Sequence, residues 1–128
     1  MNSKAIYWIE SAEYDLDTAK AMFDTGRYLY VGFTCHLTVE KLLKAAIANS
    51  GKFPPKIHNL PKLADEGNIT GKLSEKQIEF LVRVNPLNIE GRYPKYRSKI
   101  NSILTPDRCK ELIQETEEFY VWMQEYLK

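Results

Sequence analysis

The sequence predicts an all-α fold, an antiparallel up-and-down bundle of four to five helices, forming a single domain over residues 1–128. Three observations carry that expectation. Apolar residues recur at spacings of three and four along three long stretches, the period of one helix face. Capping residues stand before the first and last of those stretches, and glycine terminators follow the first two. No stretch alternates apolar and polar residues as a half-buried strand would, and there is no internal repeat or low-complexity tract.

The first helix is expected over residues 3–25. Ala5, Trp8, Ile9, Ala12, Leu16, Ala19 and Phe23 form its stripe, Ser3 is its expected N-cap, and Gly26 is a left-handed terminator. The second runs from about Arg27 to Ser50 and stops at Gly51. Its main face is Val31, Cys35, Val39, Leu42 and Ala46. Phe33, Leu37 and Ile47 make a second apolar face, interleaved with His36, Glu40 and Lys44. A helix with two such faces sits at the centre of its bundle or partly in a subunit interface. Leaving the second face in water would be costly, so a homodimer is expected.

Phe53-Pro54-Pro55-Lys56 interrupts the helical pattern, because proline lacks the N–H that a helix needs. Asn59 and Pro61 open a short helix to about Glu66, and Gly67-Asn68 and Gly71 mark a loop. Ser74 with Gln77 three residues on fits a capping box and starts a helix to about Val84, which Pro86 ends. Residues 86–104 are the least regular stretch. Thr105-Pro106 then caps a last helix with Leu112, Ile113, Thr116, Phe119, Tyr120, Met123 and Leu127 on one arc, and with Glu111, Glu115, Glu117, Glu118 and Glu125 on its wet side.

The chain has 128 residues, 44% of them hydrophobic and 27% charged, which suits one soluble core. A net charge of +1 offers no overall field to draw in nucleic acid or membrane, so any electrostatic function must be local. Cys35 and Cys109 lack the close spacing of a zinc or redox pair and read as buried thiols. The N-terminal residues have neither the pattern of a secretory signal nor that of a membrane span. A cytoplasmic protein with no membrane partner is the default expectation.

Four features in order carry a likeness to a known family. They are Asp15-Leu16 with Ala19, then Val39-Glu40-Lys41-Leu42-Leu43-Lys44-Ala45, then His58-Asn59-Leu60, and finally Arg92-Tyr93-Pro94. Together they resemble a HEPN domain (higher eukaryotes and prokaryotes nucleotide-binding) of the stand-alone prokaryotic type, over nearly the whole chain. The resemblance implies a bundle of four or five helices, often homodimeric. It also implies pairing with a separate minimal nucleotidyltransferase protein in a toxin–antitoxin-like two-component system. Some members of the family are ribonucleases, and others are proposed to bind nucleotides without cleaving anything.

The ribonuclease branch uses an arginine followed four to six residues later by a histidine. This chain departs from that pattern: its two histidines are His36 and His58, and Arg27 and His36 are separated by eight residues. Without such a histidine the usual shuttle for a ribose hydroxyl proton is missing. No catalytic residue and no cofactor is therefore assigned. A metal site is not expected either, since the chain contains no Glu-x-x-His of the kind di-iron bundles use.

Candidate ligand contacts come from two places. His36, Glu40 and Lys44 follow at four-residue intervals on one helix face, where Lys44 could meet a phosphate while His36 and Glu40 orient a base or sugar hydroxyl. The plainer alternative is a solvated Glu40–Lys44 pair of about 0.2–0.5 kcal/mol. His58 either closes a turn through local backbone bonds or stands at the mouth of the same pocket. The second place is Arg92, Tyr93, Lys95, Tyr96 and Arg97, followed by Lys99. Between residues 81 and 104 five cations, Arg83 among them, face the single carboxylate Glu90. Guanidinium forks match phosphate oxygens and tyrosine faces stack bases; the alternative is a solvated loop tied down by Arg92 and Tyr93.

The sequence therefore points to a non-catalytic nucleotide- or RNA-binding module acting with a nucleotidyltransferase. Two other readings stay open. One is a ribonuclease toxin with a degenerate site, using His36 or His58 as base and Arg92 or Arg97 against phosphorane charge. The other is a purely structural protein-interaction adaptor.

Overall fold

The computed structural model of the chain describes residues 1–88 and 94–128, with side chains for all of these except 94–97. Three long helices, α1 (Ser3–Asp24), α2 (Tyr28–Asn49) and α6 (Pro106–Tyr126), form the body of an all-α bundle. Three shorter ones, α3 (Leu60–Glu66), α4 (Glu75–Val84) and α5 (Pro94–Ile103), close around the middle of it, with 3-10 turns at Thr70–Lys72 and Asn85–Asn88. The described residues contain no strand. No helix among them is long and apolar enough to cross a membrane.

Local chemistry sets most of the boundaries. Asn2, rather than the expected Ser3, caps α1. Its Oδ1 accepts the Ala5 N–H at 2.8 Å, while its own N–H and Nδ2 donate to Asn49 Oδ1 and Ala48 O at 3.0 and 2.8 Å. One side chain thus satisfies an orphan donor and ties the start of α1 to the end of α2. Gly26 at φ 73° turns the chain from α1 into α2, and Gly51 at φ 89° turns it out again. Asn59 caps α3, Ser74 and Gln77 form the capping box of α4, and Thr105 caps α6.

The largest departure from expectation is α5. Pro86, Pro94 and a polar run Lys-Tyr-Arg-Ser-Lys hide the helical pattern of this stretch, whose described apolar anchors are Ile100 and the following Leu104, both buried. Gly32 lets this segment sit close to α2: a Cβ there would lie 2.8 Å from Leu104 Cδ1.

Helix α2 is the axis of the fold. It packs against all five other helices, and its main face of Val31, Cys35, Val39, Leu42 and Ala46 is buried throughout. Leu42, Leu43 and Ile47 are also fully buried, each worth about 1.5–3 kcal/mol of apolar transfer. The second apolar face is covered in part by the chain itself. Ile47 is buried beside Gly67, where an added Cβ would lie 3.3 Å from Ile47 Cγ1, whereas Phe33 and Leu37 remain half-buried. The apolar area that was expected to need a partner is smaller than the sequence suggests. Cys35 and Cys109 are buried free thiols, and burial pushes the Cys35 thiol up to about 12.

Candidate functional site

The polar stripe of α2 lies inside the protein. His36, Glu40 and Lys44 project toward the chain that returns as the Pro-Pro turn and α3, and all three are buried. Glu40 is the hub. Its Oε2 accepts from Lys44 Nζ at 3.1 Å, and its Oε1 meets His58 Nδ1 at 2.9 Å and His36 Nδ1 at 3.6 Å. Lys44 Nζ also lies 5.7 Å from the centre of the Trp8 ring on α1, a second favourable surrounding for a buried cation.

His58 reaches Glu40 because the two residues that follow it are anchored. Asn59 Oδ1 accepts the Lys62 N–H at 3.1 Å as the cap of α3, and the Leu60 N–H donates to Asn85 Oδ1 at 2.8 Å, tying α3 to the end of α4. The imidazole is the exposed member of the cluster, with 54% of its side chain in solvent. With Nδ1 held by the carboxylate, Nε2 is left to meet solvent or a ligand.

His36 behaves in the opposite way. It is fully buried, and neither ring nitrogen has a hydrogen-bond partner among the described residues. Burial drives its pKa down from 6.5 to about 4, against the opposing pull of Glu40. It is neutral at pH 7 and cannot reach a ligand from where it stands.

These positions change the roles the stripe was expected to take. Lys44 spends its charge on Glu40 and is shielded from solvent, so it is not available to a phosphate. Nor is Glu40–Lys44 the solvated surface pair of the plainer alternative, since both side chains are less than a tenth exposed. His36 packs as an interior group. His58 does stand at the edge of the same cluster, and this joining of α2 to the segment before α3 is what spacing alone left undecided.

The basic tyrosine-bearing segment is a different matter. Arg92 and Tyr93 lie outside the described residues. Lys95, Tyr96 and Arg97 fall on the backbone of α5, with their side chains outside the description, and Lys99 is exposed. Arg83, counted with that segment, belongs elsewhere: it makes a two-pronged contact with Glu115 on α6 at 3.2 and 2.6 Å. No cluster of three or more metal-ligating side chains suited to an ion occurs among the described residues.

A model of the HEPN domain matches residues 5–126. The chain belongs to the HEPN family. Its fold is also that of TT1696 from Thermus thermophilus, whose crystal structure superimposes with a TM-score of 0.83 over 97% of this chain and 98% of that one, at 19% identity. No curated protein matches the sequence. The Asp15-Leu16 and Glu40–Lys44 stretches and the His58-Asn59 turn all lie within the matched residues. Here these do structural work: Asp15 pairs with Lys41 at 2.7 Å between α1 and α2, and Asn59 starts α3. Sequence reading missed Trp8 as a neighbour of the Glu40 cluster. It was placed in the core stripe, and only its half-buried position beside Lys44 reveals a second role.

Proposed function

We propose that this HEPN protein is a nucleotide- or RNA-binding helical module that does not itself cleave RNA. It acts with a minimal nucleotidyltransferase partner in a toxin–antitoxin-like two-component system, and it works as a cytoplasmic homodimer. The observation that carries the binding role is the Glu40–His58 contact. A buried carboxylate, already neutralised by Lys44, holds one exposed imidazole by Nδ1 and leaves Nε2 to the ligand. Such a nitrogen can bond a base edge, a ribose hydroxyl or a phosphate oxygen. In this reading Arg92, Tyr93, Lys95, Tyr96 and Arg97 supply the cations and stacking faces around it. The absence from the sequence of an arginine four to six residues before a histidine supports the non-catalytic part.

Titrating nucleoside triphosphates and short RNA against wild type, His58→Ala and an Arg92→Ala/Lys95→Ala double variant tests the reading. Loss of binding in the variants supports it, and equal binding by all three removes both groups from the site. Co-expression with a nucleotidyltransferase encoded beside the gene, followed by co-purification, tests the partnership. Sedimentation as a monomer at micromolar concentration would contradict the dimer.

One observation favours a second reading. A carboxylate behind an exposed imidazole is the arrangement that orients a general base. In a ribonuclease variant of this account His58, not the buried His36, is the base. RNA cleavage abolished by His58→Ala would establish it; intact RNA after long incubation with wild type would dismiss it.

A further inference from the structure

The end of the bundle where α1 begins and α2 stops gathers exposed aromatic rings and lysines. Lys4, Tyr7, Trp8, Phe53 and Pro54 line an open groove of about 340 Å³ there. A neighbouring groove of about 270 Å³ shares Lys4 and Phe53 and adds Lys52. Phe53 is 83% exposed and Tyr7 66% exposed. Pro54 and Pro55 directly follow Phe53, and their fixed backbone angles limit how the ring can fold back onto the bundle. Lys4 Nζ sits 4.5 Å from the centre of the Phe53 ring.

The charge here has one sign. No carboxylate lines either groove. Lys4 and Lys52 are both exposed, and neither joins an ion pair among the described residues. Exposed rings interleaved with unpaired cations suit an anionic chain with flat faces. A protein-docking patch would be expected to exclude lysine from its centre, whereas an unpaired nucleotide strand uses both components at once: bases stack on the rings and phosphates meet the ammonium groups. In a duplex the base faces are already stacked on one another, so single-stranded nucleic acid is the form that fits.

We infer that this groove is a binding surface for single-stranded RNA, with Phe53 and Tyr7 as stacking platforms and Lys4 and Lys52 as phosphate contacts. The inference rests on the RNA-binding reading above and says where a strand would run. Trp8 lines the groove while its ring lies beside Lys44, so the surface continues toward the Glu40 cluster.

Fluorescence anisotropy of a labelled oligouridine of about twelve nucleotides, a length within the usual range for such surfaces, tests it on the full chain. Phe53→Ala and Tyr7→Ala each weaken binding about tenfold. Lys4→Gln/Lys52→Gln reduces the slope of log affinity against log salt by about 1.4. The same oligonucleotide annealed into a duplex binds with no dependence on Phe53. All four side chains are exposed, so thermal melts unchanged from wild type accompany these losses. If every groove variant binds as wild type does while Arg92→Ala/Lys95→Ala loses affinity, the groove is overturned and the RNA-binding reading survives. Wild type that binds no oligouridine at all overturns both.

Discussion

Two acid–base pairs in this molecule join the same kinds of charge and differ in consequence. Glu40–Lys44 on α2 and Arg83–Glu115 between α4 and α6 are both contacts of about 3 Å between opposite charges. The first is shut inside the bundle, with side chains less than a tenth exposed; the second has its arginine in solvent. In water the exposed pair gains little, because the attraction is screened and two side chains must be held still. In the interior the desolvation cost is already committed, so each charge depends on the other. The lesson is that contact between opposite charges can yield a decoration in one place and a structural hub in another, and that burial decides which.

Breaking the hub gives the largest expected effect. Glu40→Ala leaves Lys44 buried without its carboxylate and releases His58, and is expected to cost about 3–5 kcal/mol of stability in urea unfolding. Replacing both partners by uncharged groups of similar shape, Glu40→Gln/Lys44→Met, is expected to recover most of that loss. A double variant as unstable as Glu40→Ala would mean that the damage comes from packing rather than from an orphaned charge.

The second comparison lies within the hub, between its buried and exposed imidazoles. Well above pH 6.5 His36 is neutral in both folded and unfolded chains and contributes no pH dependence. Between 6.5 and about 4 the unfolded chain takes up a proton that the folded chain refuses, so stability falls as pH falls through this window. The full difference approaches about 3 kcal/mol near pH 4. His36→Leu is expected to flatten that acid limb in melts recorded from pH 7.5 down to 4.5. An unchanged limb would show that other groups carry it.

Smaller effects follow at the edges of the site. Asn59→Ala removes the cap of α3 and is expected to cost about 1 kcal/mol. It is also expected to loosen the hold on His58. Arg83→Ala, the surface counterpart of the hub variants, is expected to change unfolding free energy by about 0–1 kcal/mol, which the same urea titrations read. A loss as large as that of Glu40→Ala would erase the contrast on which the comparison rests.

How far the sequence could be read follows from the kind of signal each part carries. The long helices announce themselves through periodic apolar residues, and α3, α4 and α6 through Asn59, Ser74-Gln77 and Thr105-Pro106, because capping is a local interaction. Helix α5 gives no such notice: its described buried residues are reduced to Ile100, with Leu104 directly after it. The four-residue spacing of His36, Glu40 and Lys44 placed them on one face, but spacing carries no information about what covers that face. What meets them comes from elsewhere in the chain, His58 from the segment before α3 and Trp8 from α1, and α3 is itself tied to Asn85, 25 residues further on from Leu60. Phe53 falls in the Pro-Pro interruption and nothing in the sequence joins it to Tyr7, because their shared surface exists only once Asn2 has fastened the two helix ends together.

The chain has two histidines, which makes one measurement decisive for the division of labour inside the cluster. Imidazole nitrogen NMR, recorded while oligouridine is added near neutral pH, separates the ring that faces ligand from the ring that is walled in. The account predicts that His58 resonances move and saturate with RNA while those of neutral His36 stay where they are. RNA that shifts His36 and leaves His58 untouched, or that shifts neither, would contradict it.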